Sequence, residues 1–320
     1  LTIFLILALV ACGNQSPEQQ AIPPEEVLQR AVRAVQTLDS AQYVVQSDFD
    51  INTEGLSTVG TGRMDGMLAD SGEQLRFQLD VTADIESTNE SSSITGTVEV
   101  VVISDDEVYL NVHSLSSQPS SVIFRPELIA KLAGQWWLLS EDETLPVAES
   151  ISPDPRLLQA QAQVVSVTRD RGISTINGRE AHHYDTALDK EKLVAYLSEI
   201  AQEQSQEFDA VQTREDIENV QASGQLWIDT ETYYVQKISW VVQSMPLDGE
   251  GTASVSFDIT FRNHNEAPAI VPPKDAKRFS PAVFFTLPSD ALFPEEIEYQ
   301  QNTEFDEETI LDIMNDMNTF

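Results

Sequence analysis

Leu75-Arg76-Phe77-Gln78-Leu79-Asp80-Val81-Thr82-Ala83-Asp84-Ile85-Glu86 decides the fold. Apolar and polar side chains alternate through the whole stretch. Successive side chains of a strand point to opposite faces, so the stretch predicts a strand with one dry side and one wet side. Strands of that kind belong to antiparallel sheets. Upstream the same period is present: Tyr43, Val45, Phe49 and Ile51 alternate with Gln46, Asp48, Asp50 and Asn52. Downstream, Ile94, Val98, Val100 and Val102 continue it, and Val108, Leu110 and Val112 follow the turn-like Asp105-Asp106. Strands of this length suggest long, curved ribbons rather than a compact sandwich.

A helix precedes the first strand. Pro23-Pro24-Glu25-Glu26 places prolines in a first turn and acids at the positive end of the helix dipole. Val27, Ala31, Ala34, Val35 and Leu38 then fall on one face. Beyond the strands, Pro126 to Leu132 reads as a short helix, Trp136-Trp137 as a short buried strand, and Thr144 to Pro155 as a loop. Strand signals return at Val164 to Thr168, Ile173 to Ile176 and His182 to Leu188, with Asn177-Gly178 as a hairpin turn. Asp189 is placed to cap a polar helical region from Lys190 to about Ala222, with a break near Gln202 to Glu207. Its apolar positions are sparse, which suits covering a surface better than filling a core. Gly224 to Asp229, Tyr233 to Ser244 and Gly251 to Asn263 close the set of strands, ending at Ile270-Val271-Pro272-Pro273.

This order predicts an α+β fold: one large curved antiparallel β-sheet with helices on its concave face. Where few, sparsely apolar helices cover a curled sheet, packing leaves a gap. A gap walled by Phe, Leu, Val and Trp would suit an apolar ligand.

Composition narrows the functional classes. The chain carries 53 acidic against 18 basic residues, a formal charge of −35. That balance repels phosphate backbones and argues against nucleic acid as a partner. Hydrophobic content, 41%, is that of a folded domain. The only cysteine is Cys12, so the stretch after it has no disulfides. Leu9-Val10-Ala11-Cys12 ends an apolar run that begins at Leu1 and is too short for a membrane span, which needs about 20 apolar residues. This ending resembles the lipobox of bacterial lipoproteins. The resemblance implies that residues 1–12 are a signal peptide whose cysteine becomes the acylated N-terminus, and that everything after it lies outside the cytoplasm, on the cell membrane or outer membrane. Residues 13–23 then read as a flexible tether, and 274–320 as an acidic tail without Lys or Arg beyond Ser280.

Between tether and tail, the order of motifs resembles the LppX/LprAFG-type lipoproteins of the LolA-like superfamily. The likeness is carried by Cys12, by Asp39-Ser40-Ala41-Gln42-Tyr43, and by Val59-Gly60-Thr61-Gly62-Arg63-Met64. Ile176-Asn177-Gly178-Arg179-Glu180-Ala181-His182-His183-Tyr184 and Gly224-Gln225-Leu226-Trp227-Ile228-Asp229 extend it. It implies that 24–273 form a half-barrel domain whose hydrophobic cavity carries a lipid or lipidated molecule. It also implies that Phe77, Leu79, Val81, Val98, Val100, Val102, Trp240, Phe257, Ile259 and Phe261 line that cavity; by residue type alone they suit a filled core equally. The alternative is an envelope sensor or interaction protein on the same scaffold. There the concave face is filled by its own side chains and the acidic surface docks a protein partner.

Catalytic and metal-binding patterns are absent from the sequence: there is no Gly-x-Ser-x-Gly, His-Glu-x-x-His, phosphate loop or Cys-x-x-Cys. The expectation is a protein that is not an enzyme and takes no cofactor. His182-His183 would point to opposite faces of a strand and could not easily share a metal. Asp48-x-Asp50-x-Asn52 begins like a calcium loop, but Thr53 stands where glycine is needed and Val59 where glutamate is needed.

Overall fold

The structure is a computed structural model. It describes residues 22–88, 90–104, 106–119, 126–139, 164–203, 208–247 and 251–279. Cys12, the 144–155 loop and the tail beyond Ser280 lie outside the described residues.

The period-two stretches form strands. The opening stretch becomes β3 (Gln74–Ser87), flanked by β1 (Ala41–Thr53), β2 (Leu56–Ala69), β4 (Ser91–Ser104) and β5 (Glu107–Gln118). The short β6 (Trp136–Leu138) follows, then β7 (Val165–Ile176), β8 (Arg179–Leu188), β9 (Gln221–Asp229), β10 (Val235–Leu247), β11 (Gly251–Arg262) and β12 (Lys277–Arg278). All twelve belong to one curved, open sheet in the order β12-β6-β5-β4-β3-β2-β1-β11-β10-β9-β8-β7. Two meanders, β1 to β5 and β7 to β11, meet where β1 pairs antiparallel with β11, from Gln42 opposite Arg262 to Thr53 opposite Gly251. Only β12 and β6 run parallel. Asn177 and Gly178, with φ of +52° and +78°, make the tight turn joining β7 to β8.

Four α-helices accompany the sheet among the described residues. They are α1 (Pro24–Val35), α2 (Pro126–Leu132), α3 (Lys190–Glu203) and α4 (Ala210–Asp216). Helix α1 buries Val27, Ala31 and Val35. Val27 and Ala31 share one apolar cluster with Tyr43, Met64, Leu68, Phe77, Tyr184, Ile238, Ile259 and Phe261. A second, smaller cluster sits on the opposite face, where Val101, Tyr109 and Ile270 are buried against Met67, Ile103, Trp136 and Leu138. There β4 is covered on both sides, and its run Val100-Val101-Val102-Ile103 loses the alternation.

One expected boundary is corrected. The polar helical region stops at Asp216, and Gln221 and Ala222 already lie in β9, where Ala222 faces Val242. It forms two helices with separate caps. Lys192 donates its backbone N–H to Asp189, and Val211 and Gln212 donate theirs to Asp209.

Candidate functional site

Strand register arranges the α1 side of the sheet in rows that run across the strands. Row one is Phe261, Tyr43, Gly66, Phe77 and Val100. Row two is Tyr184, Leu226, Ile238, Ile259, Val45, Met64, Leu79 and Val98. Row three is Thr186, Gly224, Trp240, Phe257, Ser47, Gly62, Val81 and Gly96. Row four is Ala222, Val242, Val255, Phe49, Gly60, Ala83 and Ile94.

The ten residues that the sequence singled out all lie on this face, in three neighbouring rows and at Val102 beside Leu75. They do not have one environment. Phe77, Val100, Ile259 and Phe261 are buried members of the cluster under α1, whereas Leu79, Val102, Trp240 and Phe257 are partly buried against it. Val81 and Val98 are half-buried. In row four, Phe49, Ile94, Val242 and Val255 are half-buried and do not pack against the cluster. Rows one and two are thus filled by their own side chains and α1, while rows three and four extend the apolar surface past that cover.

Ser47, Gly62 and Gly96 occupy the middle of row three, and Gly60 and Ala83 that of row four. At Gly66 in row one a Cβ would lie 2.5 Å from Cζ of Tyr43. The other glycines of this face are also closely covered: Gly60 by the Phe49 ring, Gly62 by the Ser47 hydroxyl, Gly96 by Leu115, and Gly224 by the Ser239 carbonyl and the Trp240 indole.

Polar groups fix the rim. Asp229 is 1% exposed and accepts from Arg179 Nε at 2.5 Å, from the backbone N–H of Thr232 and Glu231, and from the Thr232 hydroxyl. Burial opposes its charge, but these donors, Arg179 first, hold the carboxyl well below the usual carboxylate range. Asn265 joins the end of α1 to the sheet, accepting from the N–H of Asp39 and donating to the hydroxyl of Tyr234. His183 stacks on Trp227 at 4.4 Å and bonds Gln225, while His182 stacks on Tyr184. No group of three or more His, Cys, Asp or Glu side chains among the described residues is placed to hold a metal ion. Two orphaned hydroxyls that sequence reasoning missed, on Tyr184 and Thr186, belong to this face; their only signal was position on the dry side of β8.

A groove of about 790 Å³ follows row three, lined by Ser47, Gly62, Val81, Gly96, Trp240 and Phe257 together with polar residues that flank them. It runs between two rows of wet-side residues, Gln46, Arg63, Asp80 and Thr97 on one bank and Asp48, Thr61, Thr82 and Thr95 on the other. Thr97 donates to Asp80 at 2.6 Å, and Ser256 to Asp48. The Asp48-Asp50-Asn52 run is this wet side, with Asn52 donating to Asp50. No helix among the described residues is long and apolar enough to cross a membrane.

No family model and no curated protein matches the chain. Solved structures do. Lipoprotein LppX of Mycobacterium tuberculosis is similar over 77% of this chain and 97% of its own, with 13% identity and a TM-score of 0.36. A DUF1329 family protein from Desulfovibrio piger is similar over 75% of this chain and 92% of its own, with 11% identity and a TM-score of 0.20. A β-barrel-like DUF1849 protein from Brucella abortus is similar over 70% of this chain and 99% of its own, at 7% identity and a TM-score of 0.24.

Proposed function

We propose that this chain is a membrane-anchored, extracytoplasmic lipoprotein without catalytic activity that holds the acyl part of a lipid or lipidated molecule against its sheet. One observation carries the reading: the apolar surface continues through rows three and four, past the cover of α1, where Phe49, Trp240, Val242, Val255 and Phe257 are only half-buried. Burial is the mechanism. Each CH₂ moved from water onto such a surface contributes roughly 0.8 kcal/mol, so an acyl chain needs no charged contact to bind. Trp240, Phe257 and Val81 are the contacts expected to matter most. Helices α3 and α4 form the lid in this reading. They leave the sheet after Leu188 and rejoin it at Gln221, at the end of the strands that bears rows three and four, and Val194 and Ala201 on α3 are buried. Cys12 supplies the membrane anchor and residues 13–23 the tether.

Native mass spectrometry on a form beginning at Gly13, followed by extraction of what it carries, tests the reading. Acyl-lipid adducts are the expected result, and Trp240→Glu or Phe257→Glu is expected to remove them from a folded protein. A clean mass with no uptake from offered lipids overturns it. The carboxylates of Asp48 and Asp80 along the groove support a second reading, in which the acidic face docks a basic protein partner; salt-sensitive binding with no lipid uptake would favour that one.

A further inference from the structure

Tyr184 and Thr186 stand two residues apart on β8, so their side chains leave the same face about 7 Å apart. Tyr184 is 0% exposed and Thr186 3%. Both hydroxyl oxygens are shielded from solvent, and neither has a hydrogen-bond partner among the described residues. Buried polar atoms in native proteins are nearly always paired, because an unmade hydrogen bond costs more than a made one contributes. Tyr43 also has an unpaired hydroxyl, but it stands alone in row one with its ring against Gly66. The β8 pair is different because Thr186 itself stands in row three, next to Tyr184 in row two. Beside Thr186 comes Gly224, with the Trp240 indole laid over it, 3.0 Å from where a Cβ would stand; Phe257, Ser47 and Gly62 follow.

We propose that Tyr184 and Thr186 are the polar end of the acyl site, donating their hydroxyl hydrogens to the carbonyl oxygen of an acyl ester whose chain lies along row three. This rests on the acyl-binding reading above and gives it a direction: head at β8, tail towards β2. From β8 to β2 the row crosses five strand gaps, roughly 24 Å at about 4.8 Å each, room for an extended palmitoyl chain. Burial raises the Tyr184 phenol to about 12, so it remains a donor throughout the physiological range. The carboxylates of Asp170 and Glu25 act on the same phenol. An ionised carboxylate head would be repelled there and desolvated, whereas an uncharged ester carbonyl needs only the two donors.

The test uses the full chain, offered methyl palmitate and, separately, hexadecane, with retention measured by extraction and mass spectrometry. Tyr184→Phe and Thr186→Val keep shape and remove only the hydroxyl. Each is expected to lower ester retention roughly ten-fold while leaving hexadecane retention unchanged. Melting temperatures without ligand should stay level or rise slightly, since an unpaired donor has gone. Equal loss of both ligands, or undiminished ester retention, overturns the proposal. So does a wild-type protein that holds ester and hydrocarbon equally well, although acyl binding itself then stands. If the wild type retains neither, the acyl-binding reading fails and takes this inference with it.

Discussion

The two halves of the apolar face are built from the same strands, yet they do different things. Along β1 the dry-side residues go from Tyr43 through Val45 to Ser47; along β2, read backwards, from Met64 through Gly62 to Gly60. Along β3 they go from Phe77 through Leu79 and Val81 to Ala83. The alternation that makes each a strand persists from end to end, but volume does not separate the halves: β2 puts Gly66 in row one and β1 puts Phe49 in row four. Period decides which face is dry, and the position of α1 decides which part of that face is fully buried. Under α1 the side chains pack into one buried cluster. Over the other half the same pattern leaves half-buried surface.

Removing the same side chain from each half should separate the two most clearly. Phe261 is 1% exposed and belongs to the cluster under α1. Phe261→Ala should cost about 3–5 kcal/mol in a urea titration. Phe257 lies on the same strand two rows further along and is only half-buried. Its alanine variant should cost about half as much or less, because less contact is lost. Equal losses would mean that row three is as filled as row one.

Much of this was legible in the sequence, for reasons that particular residues make clear. The Leu75–Glu86 stretch declares its strand because one side is wet. The Pro24 helix declares itself through its first turn and its Val27-Ala31-Val35 stripe. Val101 was not legible: it breaks the period because Ile270, far along the chain, covers the outer face there. The end of the polar helices was also hidden. Ala222 has the composition of either element, and pairing with Val242 makes it a strand residue. For the candidate site, sequence found the face but could not separate rows. Phe257 and Phe261 look alike in the chain, and only the position of α1 over one of them distinguishes a core residue from a half-buried one.

A smaller effect is expected at the rim of the filled half. Asp229→Asn removes the charge that Arg179 and the Thr232 and Glu231 N–H groups hold, and should cost about 2 kcal/mol at neutral pH. The sign of the pH dependence follows from its lowered pKa. The stabilisation is complete above the unfolded carboxylate value, about 4, and is lost as pH falls through it towards the lower folded value. Wild-type melting temperature should therefore drop faster than that of the variant between about pH 5 and pH 2, narrowing their difference. A difference that stays constant across that range would show that geometry, not charge, makes the contact stabilising.

An effect of similar size separates two glycines on one strand. Gly66 faces Tyr43, and a methyl group there would meet the ring at 2.5 to 2.7 Å. Tyr43 is fully buried beneath α1 and cannot swing aside without moving its neighbours, so Gly66→Ala should destabilise by about 1–3 kcal/mol. Gly62, two rows away in the uncovered half, would meet only the hydroxyl oxygen of Ser47, at 2.7 Å. That oxygen can rotate away, and alanine restricts the unfolded chain more than glycine does. Gly62→Ala should thus be neutral, or stabilise by a few tenths of a kcal/mol. Since the added methyl stands in row three, it should also shorten acyl retention in a protein that is no less stable. Loss of stability at Gly62 equal to that at Gly66 would make the far half a packed core. Unchanged stability with shortened retention would tie the small residues of row three to the ligand.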